Sequence, residues 1–411
     1  MRIGEFAQKH GITQDTIRHY LDMGLLVAEK KGGQYRFVDA DSKDVEKIIE
    51  LKQLDFSLTE IQKILTYQRI SGTNTDVFRG LLLAFLEDKK KEVAIELQKY
   101  NKMNDFIRDK IHEIKEESNE NSQRLGFPIN SLHLLVCPNC RGSLNMTEGT
   151  VEKSMVIEAV MQCECGYRAV IENGIYIDRT AVRTKLMNGK AMPTKEEYLK
   201  SCSHTHVNFL YKGITALIEF INKYGEKPQY IMELANCVGL FLLQHIKYLS
   251  PGTTQILIDY DLDRISQLKK NLEMYYGHRN FIFLCCDFHR LPIDNSVVDI
   301  IVDYGETKVY AAETGNYLPD IVLPMLRQGG LYASSFQYLG QKSKDNSGLP
   351  KVVKEYMNRE MVLEKIDTLQ LEELEMTDIG PIYENNPQIT DLNEIELYQG
   401  VYIGRKKTST K

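Results

Sequence analysis

The stretch Tyr230-Ile231-Met232-Glu233-Leu234-Ala235-Asn236-Cys237-Val238-Gly239 decides the fold of most of this chain. A short apolar run ends in an acid, passes through small residues to a glycine, and gives way to a helical pattern through Leu240, Leu243 and Ile246. The pattern then repeats. A second apolar run, Gln255 to Ile258, follows Pro251-Gly252 and ends in Asp259-Tyr260-Asp261. A third, Phe281 to Cys285, ends in Cys286-Asp287-Phe288, and a fourth, Val298 to Val302, ends in Asp303-Tyr304-Gly305. Short buried strands alternating with helical segments predict a doubly wound parallel sheet, whose ligands sit beyond the carboxyl ends of its strands.

From Tyr230 to Phe336 the chain resembles the class I S-adenosylmethionine-dependent methyltransferases. Besides the strand ends, Leu291-Pro292-Ile293-Asp294-Asn295-Ser296-Val297-Val298-Asp299 and Leu326-Arg327-Gln328-Gly329-Gly330-Leu331 carry the resemblance. In that family one acid opens a glycine-rich loop, a second holds the ribose hydroxyls, and a third binds the adenine with its neighbour. The resemblance therefore implies a cofactor site of Glu233, Ala235 and Gly239 in the loop, Asp261 on the ribose, and Asp287 with Phe288 on the adenine. A carboxylate suits a vicinal diol or an exocyclic amine because it offers only acceptors. The family's three loop glycines stand here as Ala235, Cys237 and Gly239, and a side chain there takes space that the backbone needs for close approach. The ligand is thus S-adenosylmethionine or another small molecule in a remodelled pocket. A fold kept only for packing or sensing is the third alternative, since fold does not dictate function.

No Asn-Pro-Pro-Tyr run follows the fourth strand, and there is no Pro-Cys nucleophile. Asp303, Tyr304, Glu306 and His289 are candidate general bases or pocket residues, and the catalytic residues stay unassigned. Leu371 to Arg405 reads as the closing strands of the same sheet.

Upstream of this domain, Cys137-Pro138-Asn139-Cys140 and Cys163-Glu164-Cys165 supply four thiolates with spacing that suits one tetrahedral zinc ion. Strand-like runs from Met155 to Met161 and from Tyr167 to Tyr176 make residues 133–180 similar to the small zinc ribbons that accompany some methyltransferases. Cys202, His204 and His206 form a weaker metal pattern, in a segment (181–226) that reads as a helical cap over the site. Residues 121–132, with Gly126 and Pro128, read as a linker.

The N-terminal 75 residues carry short helical patterns with caps: Thr13 before Gln14, and Ser57-Leu58-Thr59-Glu60 with capping-box spacing. Between them Gly32-Gly33-Gln34-Tyr35-Arg36-Phe37 reads as a turn and short strand. This region resembles the DNA-binding domain of the MerR family of bacterial transcription regulators, through Ile3-Gly4-Glu5-Phe6-Ala7, Thr16-Ile17-Arg18-His19-Tyr20, Gly24-Leu25-Leu26, Tyr35-Arg36 and Leu54 to Ile61. The resemblance implies that Arg18, His19, Tyr20, Tyr35 and Arg36 contact a double-stranded DNA operator, and Lys31 joins them as part of a local basic face. Residues 1–72 hold eleven Lys and Arg against eleven Asp and Glu, so contact must come from a local patch.

Over residues 76–120 apolar residues recur every seventh position, at Leu86, Val93, Tyr100, Ile107 and Ile114, interleaved by Leu83, Lys90, Leu97, Asn104 and Ile111. That is a coiled-coil seam. In the family the corresponding helix forms an antiparallel homodimer that places two readers on one pseudo-palindromic site. The resemblance implies control by DNA distortion, in which a small-molecule effector biases the dimer so that RNA polymerase engages an overlong promoter spacer.

The whole is a multidomain α and α/β chain: winged helix-turn-helix, long coiled-coil helix, small zinc ribbon, and a Rossmann-like methyltransferase-type fold over residues 227–411. At 411 residues with 26% charged and 43% hydrophobic residues and a net charge of −6, the composition is that of a globular protein with no bulk pull toward nucleic acid or membranes. No signal-peptide pattern or membrane-length apolar run occurs, which predicts a cytoplasmic protein.

Overall fold

The computed structural model describes residues 1–72, 75–116, 124–180, 195–234, 239–341, 351–383 and 395–408. The chain divides into two units, Met1–Glu117 and Ser118–Lys411. Among the described residues no helix is long and apolar enough to cross a membrane.

Local chemistry starts and stops the helices of the first unit. The Thr13 hydroxyl accepts the Thr16 N–H at 3.1 Å and so opens α2 (Gln14–Asp22) after α1 (Ile3–His10). Ser57 and Glu60 cap each other reciprocally at the start of α4 (Leu58–Ser71), satisfying donors that the first turn leaves orphaned. Between α2 and α3 (Asp39–Gln53), two short strands, β1 (Glu29–Lys31) and β2 (Gln34–Arg36), pair antiparallel with Lys31 opposite Gln34. Their connection needs positive φ at both central residues, and Gly32 and Gly33 supply it at +58° and +78°. Phe6 stacks on Phe37 at 4.3 Å, and with Ile17, Leu25, Val45, Ile48, Ile61 and Ile64 they make the core that fixes the wing against the helices.

The long helix α5 spans Asp76–Glu116, 41 residues. Phe78 is buried against the winged helix, and Leu82, Phe85 and Leu86 pack beside it. Lys89 continues the contact, its ammonium 5.1 Å over the Phe56 ring and 3.3 Å from Glu60. Beyond it the seam turns to solvent, with Val93, Leu97, Tyr100, Ile107, Ile111 and Ile114 all about half exposed or more.

Among the described residues, the second unit is built on one twelve-stranded sheet. Its central strands are β8 (Tyr230–Glu233), β9 (Thr254–Asp259), β10 (Asn280–Cys285), β11 (Val298–Tyr304) and β12 (Leu326–Leu339), all parallel, in the spatial order β12-β11-β8-β9-β10. In chain sequence that is 5-4-1-2-3, the doubly wound arrangement, and the chain switches direction between β8 and β11. At one edge β14 (Leu397–Lys406) runs antiparallel beside β12, and β13 (Leu371–Ile382) beside β14. Helices α7 (His204–Tyr224), α8 (Leu240–His245) and α9 (Leu262–Tyr276) supply apolar side chains to the sheet's cores, and the wholly buried β8 and β9 carry short apolar runs, Tyr230 to Met232 and Ile256 to Ile258, that end in buried acids.

The cysteine-bearing segment differs from a free-standing module. Its strands β3 (Phe127–Pro128), β4 (Asn145–Glu152), β5 (Met155–Gln162), β6 (Arg168–Glu172) and β7 (Ile175–Ile177) extend the same sheet, because β7 pairs parallel with β10. Residues 125–128, whose composition suggests a linker, instead join the fold. Leu125 is buried, its N–H donates to Glu273 at 2.8 Å, and Phe127 faces Val156 across the β3–β5 pair. Unpaired polar backbone at a sheet edge is costly to leave open, and these strands close the β10 edge.

Candidate functional site

Of the residues expected on DNA, the structure places Arg18, His19, Lys31 and Arg36 on the surface and Tyr35 half-buried in the wing. Arg18 pairs with Asp15 one turn back at 2.5 Å. Lys30 lies 5.3 Å over the Tyr35 ring, presenting a cation on the wing. Tyr20 is placed otherwise: its side chain is 3% exposed and belongs to the core with Ile17 and Leu25. On α2, positions 17 and 20 lie three residues apart on the inner face, so the helical period that turns Arg18 and His19 outward turns Tyr20 inward.

The four cysteines converge. Cys137 and Cys165 sulfurs are 3.5 Å apart, Cys140 and Cys163 are 3.4 Å apart, and all four lie within 4.8 Å of one another. Thiolates about 2.3 Å from a common zinc ion at tetrahedral angles would stand roughly 3.8 Å apart, so the donor set fits that ion. Backbone turns build each knuckle: Gly142 C=O accepts the Cys137 N–H at 2.8 Å, and Cys163 N–H donates to Tyr167 C=O at 3.0 Å. Within the cluster the Gly142 backbone N–H and the neighbouring thiols hold Cys140 below the ordinary thiol range, while burial and the same neighbours push Cys163 and Cys165 above it. The weaker pattern at 202–206 does not assemble. Ser203 caps α7 by accepting the His206 N–H at 3.0 Å, His204 is exposed, and His206 is buried. Among the described residues only the four cysteines form a metal-capable group.

The strand order puts the candidate ligand crevice at the carboxyl ends of β8, β9, β10 and β11, beside the switch point. Glu233 ends β8 at 2% exposure, neither carboxyl oxygen has a hydrogen-bond partner among the described residues, and burial pushes its carboxyl up to about 8. Gly239 opens α8 at φ +64°, a conformation that glycine adopts without strain. Ala235 and Cys237 lie outside the described residues.

The second strand's acids divide their work differently from expectation. Asp261 is the N-cap of α9, its Oδ1 accepting the N–H groups of Asp263 at 3.0 Å and Arg264 at 3.1 Å. The acid at the strand end is Asp259, fully buried, with Oδ1 accepting the Asp261 N–H at 2.8 Å and Oδ2 3.5 Å from Arg264. The expectation from the sequence names Asp261 and not Asp259 among the site residues. The signal was present, since an Asp directly before a helical pattern is a preferred cap.

On the third strand, Asp287 Oδ1 accepts the His289 N–H at 3.1 Å, and Tyr310 OH donates to it at 3.4 Å. Phe288 is buried edge-on to Tyr310 at 5.3 Å. On the fourth, Asp303 is fully engaged as a cap for α10 (Glu306–Thr314), accepting from Glu306 N–H, Thr307 and Tyr332. Glu306 is partly buried, and burial together with Asp303 and Asp259 holds its carboxyl well above the ordinary range. The crevice is thus acid-rich, with Arg264 as the cation beside it.

Residues 1–68 match the MerR HTH family of regulatory proteins. The chain is 35% identical over 115 residues to the HTH-type transcriptional regulator YfmP of Bacillus subtilis (strain 168), covering 27% of this chain and 80% of that one. It is 33% identical over 110 residues to the nodulation protein NolA of Bradyrhizobium elkanii, covering 26% of this chain and 45% of that one. Among solved structures it is similar to the N-methyltransferase NodS from Bradyrhizobium japonicum WM9 at 13% identity and a TM-score of 0.36, covering 49% of this chain and 98% of that one. The methyltransferase-like fold rests on the strand order and the placement of the acids. On its N-terminal match and its similarity over four-fifths of YfmP, the chain belongs to the MerR family, as a DNA-binding transcription regulator that carries a methyltransferase-like domain.

Proposed function

We propose that this chain reads an operator as a homodimer and that its methyltransferase-like domain is the effector module, taking S-adenosylmethionine or another small molecule in the crevice. The α5 seam past Lys89 pairs two chains, and Arg18, His19, Lys31, Tyr35 and Arg36 make the DNA contact. Ligand preference for one of two dimer states shifts the DNA geometry offered to RNA polymerase, because a ligand with equal affinity for both shifts nothing. The four cysteines hold a structural zinc ion.

The observation that carries the effector reading is Glu233. A buried acid at the carboxyl end of β8, beside the switch point, is a costly feature for a packing element, and its carboxylate form would match a ligand bearing an ammonium or sulfonium group. Glu233 would face such a group, Asp259 the ribose, and Asp287 with Phe288 the adenine. Calorimetry with S-adenosylmethionine and S-adenosylhomocysteine on the full-length chain tests it. Saturable binding that survives poorly in Asp259→Ala is expected; no heat with either compound removes the cofactor and leaves another effector. A small-molecule methyltransferase reading shares this crevice. Methyl transfer from labelled cofactor to an added amine or thiol would favour it.

A further inference from the structure

The two cysteine knuckles also grip the loop that follows the third strand's acid. Arg141 stands between Cys140 and Gly142 with φ +62°, and its own N–H is held by Cys137 C=O at 2.8 Å. Its guanidinium reaches across to donate to Leu291 C=O at 3.3 Å, Ile293 C=O at 2.6 Å and Asn295 Oδ1 at 3.2 Å. Beside it, Val136 N–H donates to Pro292 C=O and Asp294 N–H to Leu134 C=O, both at 2.9 Å. From the second knuckle, Tyr167 OH donates to Asp178 Oδ2 at 3.1 Å, and the same oxygen accepts Arg290 Nε at 2.6 Å. Arg290 stacks 5.4 Å from the Tyr167 ring. The middle of the loop from Asp287 to Ser296, from Arg290 to Asn295, is therefore held by residues of the cysteine-bearing segment.

We infer that metal occupancy of the four-cysteine site sets the order of the loop 287–296, with Arg141 and the Asp178–Arg290 pair as the positioning residues that transmit it. The physical reason is local. A non-glycine residue in the left-handed region is strained, by about 1 kcal/mol or more, and persists only where its surroundings over-determine it. A metal fixing Cys137 and Cys140 does so, and releasing it lets Arg141 relax and its three hydrogen bonds loosen. That Asp287 and Phe288 at the head of this loop bind ligand rests on the proposed function. The ordering of the loop does not depend on that ligand, and takes from the proposed function only the metal at the four cysteines.

Backbone hydrogen exchange on the full-length chain separates the two. We expect zinc removal by a chelator to speed exchange at Asp294 and its neighbours at least about tenfold, the scale of losing one or two hydrogen bonds, while wing amides in Glu29–Arg36 stay unchanged. Arg141→Ala with its zinc content intact should loosen the same amides, which guards against global unfolding on metal loss. S-adenosylhomocysteine titrated into the three proteins should bind several-fold more weakly where the loop is loose. Unaltered protection of the loop in Arg141→Ala, or in metal-free folded protein, overturns the inference. A loosened loop with no S-adenosylhomocysteine binding in any sample upholds the coupling and rejects the cofactor.

Discussion

Replacing Glu233 by Gln tests both the stability and the ligand chemistry of the crevice. The carboxyl ordinarily titrates near 4.5 and is pushed up to about 8 by burial in the folded chain. Between those values the folded state keeps a proton that the unfolded state has released, so its stabilising effect is complete below about pH 4.5 and is lost as pH rises through 8. At pH 7 the wild type has lost roughly 2.5 units' worth of stability at ~1.36 kcal/mol each, or about 3 kcal/mol. The Gln variant keeps the shape of the side chain without the titration. Calorimetric unfolding of the second unit should therefore show the variant and wild type diverging with pH, from close together at pH 4.5 to about 3 kcal/mol in the variant's favour at pH 7. A difference that does not change with pH would refute the claim that Glu233 is buried and protonated. In the wild type, a bound ammonium or sulfonium group should restore the carboxylate and expel a proton at pH 7, readable from binding heats in buffers of different ionisation enthalpy.

Arg18→Ala should weaken operator binding across sequences and reduce the salt slope by about 1, in a titration at several salt concentrations. Tyr20→Ala should instead cost roughly 3 kcal/mol of first-unit stability, since it removes a core ring. Ile107→Glu with Ile111→Glu, both near half exposure on α5, should leave monomers in sedimentation while the winged helix stays folded. Gly213→Ala places a methyl group 2.1 Å from the buried Gln399 Nε2, which is tied to Ser335 Oγ at 2.6 Å. Overpacking of about 1–3 kcal/mol should outweigh the helix-propensity gain of up to about 1, lowering the second unit's melting temperature.

What the sequence determined by itself was local and periodic. Caps at Thr13 and Ser57, the seven-residue seam of α5, the paired cysteines and the acid-ended apolar runs each lie within a few residues of the groups they act on. Their chemistry can be read without knowing the fold. Tertiary structure decided which side chain at a given strand end does what. Asp261 and Asp259 differ by two positions, and only the start of α9 makes one a cap and the other the strand-end acid. It also decided that Tyr20 belongs to the core while its neighbours Arg18 and His19 face solvent. The attachment of the cysteine strands to β10, and the reach of Arg141 to Asn295 across 154 positions of chain, come from pairing between distant segments. No propensity or spacing encodes such contacts, because their free energy appears only once the sheet has brought both partners to one edge.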